Sequence, residues 1–393
     1  MPKLRVGVLF GGRSGEHEVS LLSAAAVIEA LDKTKYEVVP IGITKDGHWV
    51  TAAHAERLLN GGARVAARAL RAGDPEATAA AAVLSKGEAI VVPPVPGHGL
   101  APLQSGVPQR RLEDRVVDVD IIFPVLHGTF GEDGTVQGLL ELADLAYVGA
   151  GVLGSSAGMD KDVMKRLFRA AGLPIVKHVT VLRNDWEQHR RQVQKRVEAA
   201  LPYPVFVKPA NLGSSVGISK AHDAGGLASA LDEAAKYDRK IVVEQAVGGK
   251  KAKARELECA VLGNDNPQAS VAGEVIPVRE FYDYEAKYLE EGSKLVIPAK
   301  LTRAQSRQVR ELAVRAFQAV DCAGLGRVDF LMDPRTGKVF INEINTMPGF
   351  TSISMYPKLW AATGVPYSEL LDRLIQLGLE RHQDKLQNRY TRT

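Results

Sequence analysis

Gly326-Arg327-Val328-Asp329-Phe330-Leu331-Met332-Asp333 and Phe340-Ile341-Asn342-Glu343-Ile344-Asn345-Thr346, separated by the turn signal Asp333-Pro334-Arg335-Thr336-Gly337-Lys338, read as the two strands of a hairpin. A strand sends residues i and i+2 to one face, so Arg327 lies beside Asp329 and Glu343 beside Asn345. Two carboxylates and a carboxamide are hard oxygen donors of the kind magnesium takes, with water and substrate phosphate completing its shell. For Asp329 to face Glu343, the connection must be odd in length or one strand must carry a bulge, because a one-residue slip puts the two on opposite sides. Taken alone, the pattern equally describes an amphipathic hairpin with a solvated acidic face.

Around this hairpin, a chain of 393 residues is long for one core and predicts two or three packed units. The formal charge of +4 is small, and only Lys250-Lys251-Ala252-Lys253 forms a basic run, so nucleic acid is not implied. Cys259 and Cys322 are the only cysteines and match neither a disulfide framework nor a zinc site, which fits a reducing cytoplasm. The apolar run at the start is too short for a signal peptide. Nowhere do the roughly 18 apolar residues of a membrane helix run uninterrupted, so a soluble, unexported protein with no membrane partner is expected.

Arg5 to Phe10 reads as a buried strand ending at Gly11-Gly12, and Ser20 to Leu31 has the spacing of a helix. Further strands are expected at Val38–Ile43, Asp120–Leu126 and Leu145–Val148, with a helix over Val136–Ala143. This alternation predicts a doubly wound parallel sheet in an α/β protein. Ala52 to Leu84 is weakly amphipathic helix, and Val92 to Pro108 an irregular loop.

Gly149-Ala150-Gly151-Val152-Leu153-Gly154 matches the dinucleotide fingerprint, yet it lies far from the first βα unit and no acidic residue follows at the required distance. It reads better as a crossover between domains, followed by a helix from Met159 to Ala171. No Walker A sequence occurs. In Pro204-Val205-Phe206-Val207-Lys208-Pro209-Ala210-Asn211-Leu212-Gly213-Ser214-Ser215-Val216-Gly217-Ile218, a strand delivers Lys208 to a small-residue loop whose backbone N–H groups can close over phosphate. A plain hairpin turn is the alternative. Lys161 is either a second phosphate lysine or a helix-surface residue.

Taken in chain order, Phe10-Gly11-Gly12 with Ser14-Gly15-Glu16-His17-Glu18-Val19-Ser20, Leu126-His127-Gly128 with Gly131-Glu132-Asp133-Gly134, and Met159-Asp160-Lys161 form a series. It continues through the Lys208–Gly217 loop, Phe281-Tyr282-Asp283-Tyr284-Glu285-Ala286-Lys287-Tyr288, Gly326-Arg327-Val328-Asp329 and Asn342-Glu343-Ile344-Asn345-Thr346-Met347-Pro348-Gly349. Over nearly the whole length this series resembles the D-alanine:D-alanine ligase family of the ATP-grasp superfamily.

The resemblance implies a three-domain ATP-grasp architecture: a substrate-binding domain at 1–149, a central subdomain at 150–247, and a C-terminal subdomain at 248–393 bearing the hairpin and a mobile loop from Phe281 to Leu295. It implies ATP held by Lys161, Lys208, Ser214, Ser215 and Lys287, with Asn342 beside it. Glu244, Gln245 and Val247 would meet the adenine, Glu256 the ribose, and Phe281 would stack on the base. Asp329, Glu343 and Asn345 would hold two Mg2+ ions, for which Mn2+ could substitute. Glu16 and His127 would bind the first D-alanine, while Ser354, Met355 and Arg327 would bind the second. Arg327 and the Gly349 N–H would stabilise the oxyanion. Glu16, Ser214 and Tyr288 would form a latch, and the Lys287-Tyr288 pair favours an amine over a hydroxy-acid acceptor. Homodimerisation is implied as well. From the residues alone, Glu16 could simply favour a helix start, and a lone histidine such as His127 is more often a satisfied polar residue than a catalyst.

Overall fold

In the computed structural model, which describes residues 2–51, 79–96, 99–103, 118–213, 216–249, 252–276, 294–351 and 353–390, the first apolar run is β1 (Leu4–Gly11), followed by α1 (His17–Ala30) and β2 (Tyr36–Ile43). Then come β3 (Trp49–Thr51), α2 (Ala79–Lys86), β4 (Glu88–Val91), β5 (Ala101–Pro102), β6 (Ile121–Pro124) and α3 (Thr135–Leu142). The sheet order is β5-β4-β3-β2-β1-β6. β1 pairs in parallel with β2 and β6, as the βα alternation requires, while β3, β4 and β5 extend one edge antiparallel. The expected strand at Leu145–Val148 is instead a single parallel bridge from Tyr147 to Ile122, because Gly149, at φ +102°, turns the chain away. Most of the Ala/Arg-rich stretch, and part of the Val92–Pro108 segment, lie outside the described residues.

The Gly149–Gly154 stretch leads into α4 (Val152–Met159) and then α5 (Lys161–Ala170). The helix expected from Met159 begins only at Lys161. Asp160 is extended, and its carboxylate accepts from the backbone N–H of Asp162 and Val163, both at 3.0 Å, which makes it a true N-cap.

β7 (His178–Leu182), α6 (Arg183–Ala200), β8 (Val205–Pro209), β9 (Ser219–Ala221), α7 (Ala224–Ala234) and β10 (Lys240–Gln245) build a second, antiparallel sheet in the order β7-β10-β8-β9. Its core, around Val181, Trp186, Val205, Leu227 and Ile241, draws only on this segment.

The third sheet is formed by β11 (Arg255–Gly263), β12 (Gln268–Ile276), β13 (Lys294–Val296), then α8 (Arg303–Ala319), β14 (Gly324–Met332) and β15 (Val339–Asn345), in the order β13-β12-β11-β14-β15. α8 starts on a capping box of Thr302 and Gln305. With Met164 and Phe168 of α5 it covers one face of the sheet. The chain ends in α9 (Met355–Thr363) and α10 (Tyr367–Lys385), whose Tyr356, Leu370 and Ile375 share one core with Val6, Phe10 and Val27 of the first sheet.

Asp329 pairs with Glu343, and the next pair is Phe330 with Ile341. Asn342 is therefore the extra residue of a bulge. The hairpin has the irregularity that facing carboxylates demand.

Candidate active site

The hairpin places Arg327 opposite Asn345 and Asp329 opposite Glu343 on one face. Asn345 Nδ2 donates to Asp329 Oδ2 at 2.9 Å, and Arg327 donates to both Asp329 oxygens at 2.7 and 2.8 Å. Arg327 also meets Glu258 at 3.0 Å from the neighbouring β11, where Glu258 lies opposite Asp329. Glu258 was not singled out in the sequence; the Arg255-Glu256-Leu257-Glu258 alternation is the signal that puts it on this face. Glu256 lies two residues along, opposite Leu331. Among the described residues no three His, Cys, Asp or Glu side chains are grouped to hold a metal. The set becomes complete only with the Asn345 carboxamide, and as an all-oxygen donor set it fits magnesium.

Two lysines reach the same hairpin from different elements. Lys161 Nζ, at the start of α5, donates to Leu212 O at 2.7 Å and sits 3.5 Å from Glu343 Oε2. Lys208 Nζ, near the end of β8, donates to Asn342 Oδ1 at 3.1 Å and pairs with Glu244 at 2.8 Å. Burial works against the Lys208 charge, but Glu244 and Glu343 outweigh it and raise its pKa, so it stays cationic. Burial likewise opposes ionisation of Glu244, yet Lys165 and Lys208 hold its pKa far below the usual carboxylate range. These fixed positive charges beside oxygen donors fit a metal-bound polyphosphate. Gln245 closes β10 with its N–H on Lys177 O, 3.0 Å away, and Val247 follows in the turn after it.

A second cluster lies where β1 ends. Glu16, 9 % exposed, precedes α1, and its N–H bonds Ser14 Oγ at 3.2 Å. A Cβ at Gly128 would lie 2.6 Å from Glu16 Oε2, and one at Gly213 would lie 3.3 Å away, so the carboxylate reaches both the turn at Gly128 and the chain at Gly213 beyond β8. Gly128 also has φ +76°, which a side chain disfavours.

His127, 3 % exposed, has Nδ1 at 3.2 Å from Met347 O and Nε2 at 3.1 Å from Ser23 Oγ. Ser23 in turn accepts from the Phe350 N–H at 3.3 Å. Burial depresses the imidazolium, but Glu132 at 3.9 Å outweighs it and the His127 pKa is raised. Ser23 carries no local sequence signal for this role, since its partners are 104 and 327 residues away, whereas Glu132 lies in the same turn as His127.

Gly349 is buried beside this network. Ser354 precedes α9 and turns its Oγ to Thr351, with 3.1 Å to N and 2.7 Å to Oγ1, while Met355 opens the helix. Ser214, Ser215, Phe281, Lys287 and Tyr288 lie outside the described residues.

An antiparallel sheet and a hairpin-bearing sheet that meet at paired lysines and an acidic face define an ATP-grasp protein. Family models for the D-ala D-ala ligase N-terminus and C-terminus match residues 5–150 and 167–376. D-alanine–D-alanine ligases of Heliobacterium modesticaldum and Ruminiclostridium cellulolyticum are 48 % and 49 % identical; the alignments span 99 % and 100 % of this chain and 98 % and 100 % of the relatives. The solved D-alanine-D-alanine ligase of Coxiella burnetii is 36 % identical with a TM-score of 0.78, over 98 % of this chain and 97 % of that one. The VanG D-Ala:D-Ser ligase of Enterococcus faecalis is 35 % identical with a TM-score of 0.79, over 96 % and 100 %. The chain belongs to the D-alanine–D-alanine ligase family, whose members are ATP-dependent carboxylate–amine ligases that use Mg2+.

Proposed function

We propose that this chain joins two D-alanines into D-alanyl-D-alanine for peptidoglycan precursors, cleaving ATP to ADP and phosphate through an acyl phosphate. The observation that carries it is the bulged register opposing Asp329 to Glu343, with Lys161 and Lys208 converging on Glu343 and Asn342. Lys161 and Lys208 hold the phosphates, Glu244, Gln245 and Val247 meet the adenine, and Glu256 the ribose. Phe281, Lys287, Ser214 and Ser215 complete the nucleotide site. Asp329, Glu343 and Asn345 would hold two Mg2+ ions, or Mn2+ in their place. When bound, the metal supplies charge neutralisation on the transferred phosphoryl group.

Glu16 takes the ammonium of the first D-alanine, with His127 beside it, and the carboxylate of that substrate attacks the γ-phosphate. The amine of the second D-alanine attacks the acyl phosphate, its own carboxylate held by Ser354, the main chain at Met355 and Arg327. Arg327 and the Gly349 N–H stabilise the resulting oxyanion, and phosphate leaves. Closure of the 281–295 segment, latched by Glu16, Ser214 and Tyr288, excludes the water that would hydrolyse the acyl phosphate.

Three separate sheets support a division at 1–149, 150–247 and 248–393. Two buried free cysteines, and the lack among the described residues of a helix long and apolar enough to cross a membrane, support a cytoplasmic enzyme. Family habit supports a homodimer. The test is phosphate release from Mg-ATP with D-alanine, L-alanine, or D-alanine plus D-lactate or D-serine, with products identified by mass. D-alanine-dependent release with a D-alanyl-D-alanine product is expected, as Lys287-Tyr288 favours an amine acceptor. A D-alanyl-D-serine product would move the chain toward the VanG type, and no release with any substrate would refute the reading.

A further inference from the structure

Besides Lys161, Lys208 and Lys287, the proposed nucleotide site contains a further lysine with no assigned role. Lys165 is 0 % exposed on α5, one turn beyond Lys161 and on the same face. Its Nζ pairs with Glu244 Oε1 at 2.8 Å and donates to the main-chain carbonyl of Asn342 at 3.0 Å. Oε1 is buried, and the Lys165 charge is what balances it. Lys208 meets the other oxygen, Oε2, at 2.8 Å.

At the hairpin, α5 grips three consecutive residues of β15. Lys165 holds Asn342 O, Lys161 lies beside the Glu343 carboxylate, and Met164 Sδ accepts the Ile344 N–H at 3.4 Å. Asn342 is the bulged residue, so its carbonyl is where the register between Asp329 and Glu343 is set. Lys165 is not placed as a phosphate ligand in this arrangement, because it is sealed from solvent and held by Glu244 and the Asn342 carbonyl.

We propose that Lys165 is a positioning residue that fixes the Glu244 carboxylate for the adenine and the Asn342 bulge for the metal ligands, so that one buried cation couples base recognition to the geometry of phosphoryl transfer. This rests on the ATP reading of the site. An ionised Glu244 accepts from the amino group of adenine and repels the 6-oxo group of guanine. Without Lys165, a buried oxygen loses its compensating charge and the preference for adenine goes with it.

The test compares wild type, Lys165→Met, Lys165→Arg, Glu244→Gln and the Lys165→Met/Glu244→Gln double variant, reading kcat and KM for ATP, GTP and D-alanine. Lys165→Met is expected to raise the ATP KM and lower the ATP-over-GTP preference, each by about tenfold or more, with the D-alanine KM within about twofold. Lys165→Arg, which keeps the charge, restores much of the preference. In the Glu244→Gln background the added loss of preference on removing Lys165 is expected to vanish, and the neutral glutamine keeps this comparison open if the single Met variant folds poorly. A preference and an ATP KM unchanged in Lys165→Met, with only thermal stability lowered, would overturn the proposal, as would additive losses in the double variant. Absence of ATP binding by the wild type in calorimetry would refute the site reading itself, before any variant is compared.

Discussion

At the residue scale, the hairpin acids and the His127 network make separable demands. Glu343 lies opposite Asp329 and 3.5 Å from Lys161; in the proposed site, loss of its negative charge would weaken the hold on the Mg2+ that offsets the charge of the transferred phosphoryl group. Glu343→Gln is isosteric, so phosphate release should cease while circular dichroism and the unfolding midpoint stay near wild type. Undiminished turnover would remove Glu343 from the metal set. Ser23 differs because it touches no reacting group in the proposed scheme. Its hydroxyl links His127 Nε2 to the Phe350 N–H, and truncation leaves both buried groups short of a partner, at about 1–3 kcal/mol each. Ser23→Ala is therefore expected to lower stability and raise the D-alanine KM while leaving the ATP KM unchanged; steady-state kinetics with each substrate varied in turn would separate the two. The hairpin acids were legible because alternation alone fixes which side chains share a face. Ser23 and Lys165 were not, because their partners lie far away in the sequence. Lys165, within Lys161-Asp162-Val163-Met164-Lys165-Arg166, reads as a solvated helix face until β15 is packed on it.

At the scale of elements, α5 is the piece on which most of the proposed phosphate site depends. Asp160 caps it through the N–H groups of Asp162 and Val163 and pairs with Lys240 of β10 at 2.6 Å. Burial raises the Asp160 pKa, but Lys240 and the cap outweigh it, and the net shift is downward from 3.8. A depressed carboxylate contributes stability that is present above its unfolded pKa and lost as pH falls through the folded one. The stability advantage of wild type over Asp160→Asn should therefore be full near neutrality and shrink below about pH 4, measurable as urea midpoints at several pH values. Asp160→Ala also loses the cap and should cost about 1 kcal/mol more than Asp160→Asn, which can still cap the helix. The same residue explains why the helix expected over Met159–Ala171 is divided: the apolar spacing runs through Asp160, but its capping geometry starts a new helix. The strand expected at Leu145–Val148 fails for a comparable reason, since a left-handed Gly149 follows directly and leaves room for one bridge to Ile122. The parallel β2-β1-β6 core was readable from the chain, whereas the antiparallel extension through β3, β4 and β5 was not, because those strands are too short for a periodic signal.

Across the whole molecule, the three sheets are joined by two kinds of contact. The first and third share one apolar core, in which Val6, Phe10 and Ile28 pack with Tyr356, Trp360 and Leu370, so neither can open without exposing the other. The central sheet has its own core and meets α5 and the hairpin through polar links: Lys240 with Asp160, Lys165 with Glu244, Lys208 with Asn342, and the Lys161 N–H with Ala210 O at 3.0 Å. Polar links of this kind hold a geometry but bury little apolar area, and a unit attached by them opens at a lower free energy than one sharing a core. Without nucleotide, amides of β8 and β10 should therefore exchange with solvent faster than those of β1 and β6. Mg-ATP bridges the lysines of the central unit to the oxygens of the hairpin in the proposed site, and at about a hundred times its Kd it would stabilise the bound form by about 2.7 kcal/mol. That stabilisation should appear chiefly as slower exchange in β8 and β10, with little change in β1, and should be lost on chelating the metal. Hydrogen-exchange mass spectrometry with and without Mg-ATP resolves these segments. Uniform protection across all three sheets would mean that the molecule opens as a single unit and that the polar links are as strong as the shared core.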